Sequence, residues 1–574
     1  MPQRTLVLGH MPRSAEVSPQ RYLAAGPWCF AGQEELFPGW ETRYTFAPEP
    51  FADPADLELA ARQAQGLTAQ GIPLLAREMR PAGIPLPDAY WDMALGCWAI
   101  MVMQPAVAQW RRAQLMAARW GHESLRVPLL PEDCLFSFAT EQDFVLHGAL
   151  GHAYTHWLLS RLLERMWPPT WEKVWLPPPP PEELRHSAPP PQGWKARLRA
   201  AVRDSALRMM LALPFPRVKG FSLRQGCAYS WALLRNPCTT PDQSRPLAEY
   251  AADAPTDFPL EILPLLRRSL PQSLCAARHP TSIPPAARPR LRVASIECFE
   301  DTAYRLRLAR WRGAGHRLAF IQHGGNYGNI RTSSMDPMME FAQHAFITWG
   351  WTQQTPQRGN FVPLPHGQLA RLRHAHKDTA GTLLYVGTEI TVFPYRMDSR
   401  PTPLQYVQYR DDKQWFFEAL GRDIRLHSLY RPYFTVPGTL EDAPWLLPRF
   451  PDVRLCAGPL DAHMLRCRLL VLDHHGTTLA LALAAHVPTV LFWDRAAWGL
   501  CPETEALLDE LAAAGIWHPT AESAAMHIYH IWGDVAAWWE SAPVRAARER
   551  WSAAYALTVE GPIDTLWTKK LKTL

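Results

Sequence analysis

The sequence lacks several features that would assign it to a well-defined class. Its ten cysteines are scattered from Cys29 to Cys501 and none forms a C-x-x-C pair, which argues against a zinc ribbon and against a disulfide framework. No unbroken run of about 18 apolar residues occurs, so no membrane-spanning helix is expected. The opening residues hold too short an apolar run for a signal peptide. Together these absences predict a cytoplasmic protein with reduced cysteines.

Charge and metal-binding patterns are also sparse. The formal net charge is +5 over 574 residues, which gives no indication of a nucleic-acid partner. His152 and His156 are spaced i, i+4 on a predicted helix, but the sequence shows no HExxH pattern and no third ligand. Asp411 and Asp412 are not placed like a metal-binding acidic pair. We therefore expect no essential metal and no bound cofactor.

The length and composition are those of a globular protein with more than one core. A chain of 574 residues predicts two or three domains, and 47% hydrophobic with 20% charged residues is a globular composition. Proline runs at residues 177–181 and 189–191 predict a stiff spacer. An amphipathic helix is predicted after it, at 195–213. We assign residues 166–285 to a proline-rich linker and a helical insertion.

Predicted strands and helices alternate along much of the chain. The predicted strands cover residues 5–8, 291–296, 317–322, 345–348, 381–386, 424–427, 469–472 and 489–492. The predicted helices cover residues 52–70, 90–110, 148–166, 302–312, 412–420, 478–485, 503–514 and 543–556. This alternation predicts an α/β fold with doubly wound parallel sheets. Ligands bind such folds at the carboxyl ends of the strands.

The segment QHGGNYG at residues 322–328 carries the strongest chemical signal. An apolar strand brings His323 to its carboxyl end, and Gly324 and Gly325 follow at once. Histidine titrates near neutrality and serves as a general base, while glycine lets the backbone approach a ligand closely. We predict that His323 is catalytic and that the two glycines contact a donor. The alternative is a turn histidine that forms local hydrogen bonds.

A second signal is the segment DHHGTT at residues 473–478, between a strand and a helix. The free amides and the partial positive charge of a helix N-terminus bind phosphate. We therefore predict donor contacts from His475, Gly476, Thr477 and Thr478. The alternative is plain N-capping of the helix by Thr477.

Weaker signals come from a turn, an arginine and a cluster of arginines. Gly387 and Thr388 follow a strand, as in a loop over a donor, and Arg431 follows another strand and is able to pair with a diphosphate or a carboxylate. Such an arginine is equally often solvated. The cluster lies on one predicted helix and consists of Arg305, Arg307, Arg310 and Arg312. It is most simply a solvated helix face. The alternative is contact with an anionic lipid-linked acceptor or with the inner membrane.

These segments resemble transferases encoded in bacterial O-antigen and surface-polysaccharide gene clusters. The resemblance also includes FITWGW at 346–351, LYVG at 384–387 and PTVLFWD at 488–494. A more distant similarity is to capsule and glycerophosphate transferases. The resemblance implies a GT-B-like architecture of two Rossmann-like domains with a helical insertion. Its N-terminal acceptor-side domain then combines residues 1–165 and 286–375, its nucleotide-donor domain covers 376–545, and a C-terminal helix and tail cover 546–574.

The resemblance implies a glycosyltransferase of surface-polysaccharide biosynthesis. A nucleotide-sugar donor is then the substrate, the acceptor is a glycan, a lipid-linked or a protein hydroxyl, and contact with the inner membrane is peripheral. Two alternatives stay open: a CDP-polyol phosphotransferase, and a non-catalytic scaffold of the same fold. The scaffold gains support from Leu481, which stands where the family commonly has a glutamate that holds the donor ribose. Leucine cannot accept a hydrogen bond from a ribose hydroxyl.

Overall fold

Three parallel β-sheets of four to six strands, surrounded by helices, and one two-stranded parallel sheet make up the described part of the molecule. The computed structural model describes residues 3–80, 84–186, 213–216, 218–238, 240–278 and 283–574. Each of the three larger sheets takes its strands from a different stretch of the chain. The α/β class with parallel sheets is confirmed. The helix predicted at 195–213 lies, apart from its last residue, outside the described residues.

The first stretch forms a sheet of its own. Its strands are β1 (Arg4–Val7), β2 (Tyr22–Ala24), β3 (Thr45–Phe46), β4 (Leu125–Leu129), β5 (Ser137–Phe138), β6 (Trp171–Trp175) and β7 (Arg185–His186). Five of them run parallel in the order β3-β2-β1-β4-β6, while β5 pairs with β7. The long helices of this stretch are α1 (Pro54–Met79), α2 (Asp88–Trp120) and α3 (His152–Leu163).

The second sheet follows the insertion. Its four parallel strands, in the order β11-β10-β9-β8, are β8 (Leu291–Ala294), β9 (Arg317–Ile321), β10 (Ala345–Thr348) and β11 (Phe361–Pro363). Helix α4 (Leu223–Arg235) precedes the sheet, and α5 (Thr302–Gly313) connects β8 with β9. Helix α5 packs against the long α2, so the first and second sheets share a helical layer.

The arginines of α5 differ from the expected solvated face. Arg305 is fully buried and forms an ion pair with the buried Glu141. Arg312 contacts the Asp242 carboxylate at 3.2 Å and donates to the Ser244 hydroxyl at 2.6 Å. The expectation is wrong for Arg305 and Arg312 because acidic and polar side chains from distant segments reach them. Contact of the chain with a membrane stays a prediction.

The third sheet is the largest. Its six parallel strands, in the order β14-β13-β12-β15-β16-β17, are β12 (Leu383–Val386), β13 (Ser428–Arg431), β14 (Arg454–Leu455), β15 (Leu469–Leu472), β16 (Thr489–Phe492) and β17 (Trp517–His518). Every residue of β12, β15 and β16 is buried, as expected for a parallel sheet covered on both faces. The helices of this stretch are α6 (Pro403–Ala419), α7 (Thr477–Ala485), α8 (Pro502–Ala513) and α9 (Ala521–Ile531).

Two predicted elements of this stretch are corrected. The strand predicted at 424–427 is wrong, because a helical turn, Arg422–Arg425, precedes β13. A short apolar run such as this one does not distinguish strand from helix by its periodicity. The helix predicted at 412–420 begins earlier, at Pro403, where Thr402 and Gln405 form a capping box.

The C-terminal residues return to the second sheet. Helix α10 (Ala542–Tyr555) packs on α7 and α8, and the amide of Leu557 then donates to the Trp349 carbonyl at 2.8 Å. In α11 (Asp564–Leu571), the ring of Trp567 stacks on Tyr229 of α4 with centroids 5.7 Å apart. Among the described residues, no helix is both long and apolar enough to cross a membrane.

The division of the strands bears on the predicted architecture. The strands of residues 1–165 pair in the five-stranded sheet, apart from β5, which pairs with β7, and those of 286–375 pair in the four-stranded sheet, so strand pairing does not join the two stretches. The GT-B-like arrangement of two Rossmann-like domains, and the domain boundaries that go with it, remain predictions.

Candidate active site

A connecting segment, residues 387–402 after β12, contacts a helix of the first stretch and loops that follow strands of the second and third sheets. Its Phe393 lies edge-on to His152, with ring centroids 5.0 Å apart, at the N-terminus of α3 in the first stretch. Ser399 donates its amide to the Thr332 carbonyl at 2.9 Å, in the loop after β9. Thr388 Oγ1 lies 2.5 Å from His474 Nδ1, in the loop after β15. We call this meeting point the three-sheet junction; it lies at carboxyl ends of parallel strands, where α/β proteins bind ligands.

His323 enters the junction from the end of β9. Its Nε2 lies 2.6 Å from the Tyr327 hydroxyl, which donates to Glu340 Oε2 at 2.7 Å. The second carboxyl oxygen of Glu340 lies 3.9 Å from His323 Nε2. Glu340 is fully buried, whereas the His323 side chain keeps 24% of its surface exposed. The imidazole is thus held from its buried side and accessible from the other.

Burial and a nearby positive charge control the protonation of this group. Burial, followed by the positive charge of Arg396, lowers the pKa of His323 to about 4. Burial raises the pKa of Glu340 well above its usual range, with the neighbouring Asp336 adding to the effect. The imidazole is therefore neutral near pH 7 and able to accept a proton.

Gln322 fixes the loop that carries His323. Its side-chain Nε2 donates to the Gly324 carbonyl at 2.8 Å, and its Oε1 accepts from the amide of Trp349 and the indole of Trp351, both at 2.9 Å. Gln322 is 1% exposed. Because both ends of this amide are engaged, the turn after β9 has one defined conformation.

The His323 loop touches the N-terminus of α7. The amide of Gly325 donates to Thr477 Oγ1 at 3.0 Å. A Cβ atom at Gly325 would lie 2.4 Å from the Gly476 carbonyl carbon and from the Thr477 nitrogen. The two predicted loops therefore face each other, and their backbones fill the space between Gly325 and Gly476. A ligand of both loops has to lie beside this contact.

The start of α7 differs from the N-capping alternative. Gly476 occupies the N-cap position and Thr477 is the first helical residue. The Thr477 hydroxyl is used by Gly325 of the neighbouring loop, so it does not act as the N-cap. Thr478 is half-buried. Leu481 is 6% exposed and packs in the interior of the molecule.

His475 is buried, whereas the neighbouring His474 reaches the three-sheet junction through its contact with Thr388. His475 is 2% exposed and lies between Trp493 and Trp498, with ring centroids 5.5 and 5.0 Å away. Among the described residues, neither of its ring nitrogens has a hydrogen-bond partner. Burial lowers its pKa to about 3. Sequence reasoning selected His475 rather than His474 because adjacent histidines after a strand give no sign of which one is buried.

A buried charge network holds the turn at Gly387 and Thr388. The Thr388 amide donates to Asp473 Oδ1 at 2.9 Å, and its carbonyl accepts from Lys413. Lys413 is fully buried, contacts the Asp442 carboxylate and lies 3.7 Å from Asp473 Oδ2. Burial acts to lower the pKa of Lys413, but the two carboxylates outweigh it and raise the pKa.

Gly387 and Arg431 occupy structural positions at this edge of the third sheet. Gly387 donates its amide to the Arg431 carbonyl at 2.9 Å, and a Cβ atom there would lie 2.6 Å from the Tyr430 hydroxyl. The Arg431 guanidinium donates from Nη1 to the carbonyls of Cys456 and Gly458, at 3.0 and 2.8 Å. These bonds hold Arg431 against the loop after β14, so its predicted contact with a diphosphate stays a prediction.

The structure thus brings His323, Gly324 and Gly325 together with Gly476 and Thr477. Sequence reasoning missed Glu340 and Arg396, which come from segments without a recognisable motif. It also gave no role to Tyr327, although the spacing of four residues from His323 was visible. Within the described residues, no group of three or more His, Cys, Asp or Glu side chains is arranged to hold a metal ion.

One comparison with known proteins identifies relatives. A family model described as LIC12162 family transferase matches residues 4–571, nearly the whole chain. No curated protein matches the sequence. The match includes the residues of all three sheets and of the three-sheet junction.

Proposed function

The chain belongs to the LIC12162 family of transferases, and we propose that it moves a sugar from a nucleotide-activated donor to an acceptor hydroxyl, with His323 as the general base. The observation that carries this proposal is the hydrogen-bonded chain His323–Tyr327–Glu340 at the three-sheet junction. A neutral, partly exposed imidazole that Tyr327 orients from its buried side is able to accept a proton from an acceptor hydroxyl.

The proposed step uses the two ring nitrogens differently. Nε2 carries its proton toward the Tyr327 oxygen, and Nδ1 takes the proton of the acceptor hydroxyl. The acceptor oxygen forms a bond to the anomeric carbon of the donor sugar while the bond from that carbon to the nucleotide phosphate oxygen breaks. The phosphate leaves with the electron pair. Tyr327 and Glu340 act as positioning residues, since they fix the orientation and the tautomer of the imidazole.

The proposed donor contacts lie beside the point where the His323 loop touches the N-terminus of α7. Gly476, Thr477 and Thr478 offer the N-terminus of α7 to a phosphate, and Gly324 leaves room on the His323 side, where an added Cβ atom would meet nothing closer than 3.5 Å. The donor contacts predicted for Gly387, Thr388, Arg431 and His475 are less direct. Gly387, Thr388 and Arg431 form hydrogen bonds within the protein, and His475 is buried. The donor is a substrate, and we propose no metal or bound cofactor.

The proposed biological setting is the assembly of surface polysaccharide, including O-antigen. The acceptor is then a glycan, a lipid-linked or a protein hydroxyl, and the proposal includes peripheral contact with the inner membrane. Nucleic acid has no part in it.

A nucleotide screen followed by product analysis tests this function. Thermal unfolding of the full chain is measured with CMP, CDP, UDP and GDP, since a ligand at 100 times its Kd stabilises a protein by about 2.7 kcal/mol. The nucleotide sugars of the stabilising base are then assayed for transfer. A glycosidic bond in the product supports the proposal, whereas a phosphodiester indicates a polyol phosphotransferase. Absence of stabilisation by every nucleotide contradicts a nucleotide-dependent enzyme.

A further inference from the structure

Two arginines of the connecting segment share one aromatic ring, and the charge of one of them, Arg396, acts on His323. The guanidinium carbons of Arg396 and Arg400 lie 5.5 and 5.0 Å from the centroid of the Tyr395 ring. At this distance both cations interact with the face of the ring. Both positive charges are therefore held against one ring. We call Tyr395, Arg396 and Arg400 together the platform.

The platform is fixed to the loop that follows His323. The amide of Met397 donates to Gln104 Oε1 at 2.9 Å, and the carbonyl of Met397 accepts from the Ser334 hydroxyl at 3.2 Å. The Thr332 amide donates to Ser399 Oγ at 3.0 Å. Arg396 thus stands next to residues that are bonded to the loop after β9. The effect of its charge on the pKa of His323 agrees with this placement.

The positive charge of Arg396 is only partly neutralised by the nearby acidic groups Asp398 and Asp336. The ion pair from Arg396 Nη1 to Asp398 Oδ2 is long, at 3.9 Å, and the Arg396 side chain keeps 43% of its surface exposed. Burial acts to raise the pKa of Tyr395, but Arg396 and Arg400 outweigh it and lower the pKa. A tyrosine whose anionic form is favoured by two cations indicates a site of positive potential.

Exposed aromatic rings extend the same surface. The rings of Tyr433 and Phe434, after β13, lie in contact with centroids 4.1 Å apart and planes inclined by 30°, and the two residues are 39% and 67% exposed. Tyr433 is close enough to Arg396 and Arg400 for their charges to influence its pKa, although burial is the larger effect and raises it. Guanidinium pairs bind phosphate, and flat exposed rings bind the flat faces of ligands.

We infer that Arg396 and Arg400, held on Tyr395, bind a phosphate group of the substrate directly beside His323. This inference rests on the proposed function and adds to it a second anion site, distinct from the N-terminus of α7. The phosphate comes either from the nucleotide donor or from a phosphorylated acceptor, and both sources share the same chemistry at the two guanidinium groups.

Binding of inorganic pyrophosphate to the full chain tests the inference. Isothermal titration is carried out with the wild type, R396Q, R400Q and R224Q, the last an exposed arginine of α4. Loss of one charge-assisted contact weakens binding by about 10- to 100-fold, so R396Q and R400Q are expected to bind that much more weakly, and R224Q like the wild type. The conservative R396K is expected to recover part of the affinity.

Competition identifies the source of the phosphate. If it belongs to the donor, nucleoside diphosphates bind more tightly than pyrophosphate and displace it. If it belongs to the acceptor, pyrophosphate and a nucleotide bind together. Binding of pyrophosphate by R396Q and R400Q at wild-type affinity, or no binding by the wild type, overturns the inference.

The failure of this inference is distinguishable from the failure of the proposed function. Transfer that depends on His323 but not on Arg396 or Arg400 would remove the second anion site and leave the base in place. Binding of pyrophosphate through Arg396 and Arg400 without any sugar transfer would keep the second anion site and contradict the proposed function.

Discussion

The amide of Gly325 donates a 3.0 Å hydrogen bond to Thr477 Oγ1, which joins the loop after β9 in the second sheet to the first residue of α7 in the third. The bond places the proposed base and the proposed phosphate-binding helix terminus on opposite sides of one backbone contact. The two sheets therefore meet where the proposed chemistry takes place.

The Gly325 contact predicts a steric effect of substitution. In G325A, the new methyl carbon would lie 2.4 Å from backbone atoms of Gly476 and Thr477, and backbone atoms cannot move aside as a flexible side chain does. Overpacking of this kind costs about 1–3 kcal/mol, so we expect a lower melting temperature. The matched control is G324A, whose methyl would meet nothing closer than 3.5 Å. Equal stability of the two variants would contradict the contact.

The hydroxyl of Tyr327 is predicted to position the base. In Y327F the imidazole loses its 2.6 Å partner, and we expect kcat/KM to fall about 10-fold, as for loss of a hydrogen bond of about 1.5 kcal/mol. The buried Glu340 loses the hydrogen bond to its Oε2 as well, so the free energy of unfolding should fall by about 1–3 kcal/mol. Y250F is the control, because Tyr250 donates to the Pro337 carbonyl at 3.0 Å, in a segment near Glu340. The pH profile of kcat/KM should shift in Y327F and not in Y250F. A purely structural role would lower stability and leave that profile unchanged.

The pKa of His323 predicts the acid limb of the activity. Because this pKa lies at about 4, the base form predominates above that pH, and kcat/KM should rise through pH 4 and then level off. R396Q removes a positive charge that lowers the pKa, so its acid limb should move to higher pH, whereas R396K should keep the wild-type limb. The titratable and charged groups near the imidazole are Tyr327, Glu340, Arg396 and His366, and Asp336 acts on Glu340 in turn.

An unchanged acid limb in R396Q would show that Arg396 does not act on the titrating group. The measurement is kcat/KM as a function of pH for the three proteins at constant ionic strength, since salt screens exposed charges.

The buried pair of Arg305 and Glu141 predicts a large effect on folding. E141Q leaves the Arg305 guanidinium buried without its counter-charge, which costs about 3–5 kcal/mol. The double variant E141L/R305M removes both charges and should be more stable than E141Q, because an apolar pair carries no buried charge. Urea unfolding of both variants measures this. A double variant less stable than E141Q would contradict the account of the pair.

The sequence predicted those elements whose signal lies within a few neighbouring residues. The strands β10, β15 and β16 have the predicted bounds because each is a short apolar run that ends at a turn. His323 and the start of α7 were found in the same way. The helical turn at Arg422–Arg425 was mistaken for a strand because four residues carry too little periodicity to decide.

The rest of the site depends on contacts between distant residues. Glu340 meets His323 through Tyr327, and Arg396 approaches it through a segment bonded to Gln104 and Ser334. The burial of Arg305 depends on Glu141, 164 positions away. Separation into three sheets likewise reflects which strands pair, and no local pattern carries that information.

The transfer rate of H323Q tests the central claim most directly. Single-turnover transfer from the donor nucleotide sugar and the Kd of the matching nucleotide are measured for the wild type and H323Q. If His323 is the general base, the rate falls about 10²- to 10⁴-fold, while the Kd for the nucleotide is unchanged. Transfer by H323Q at the wild-type rate would contradict the account.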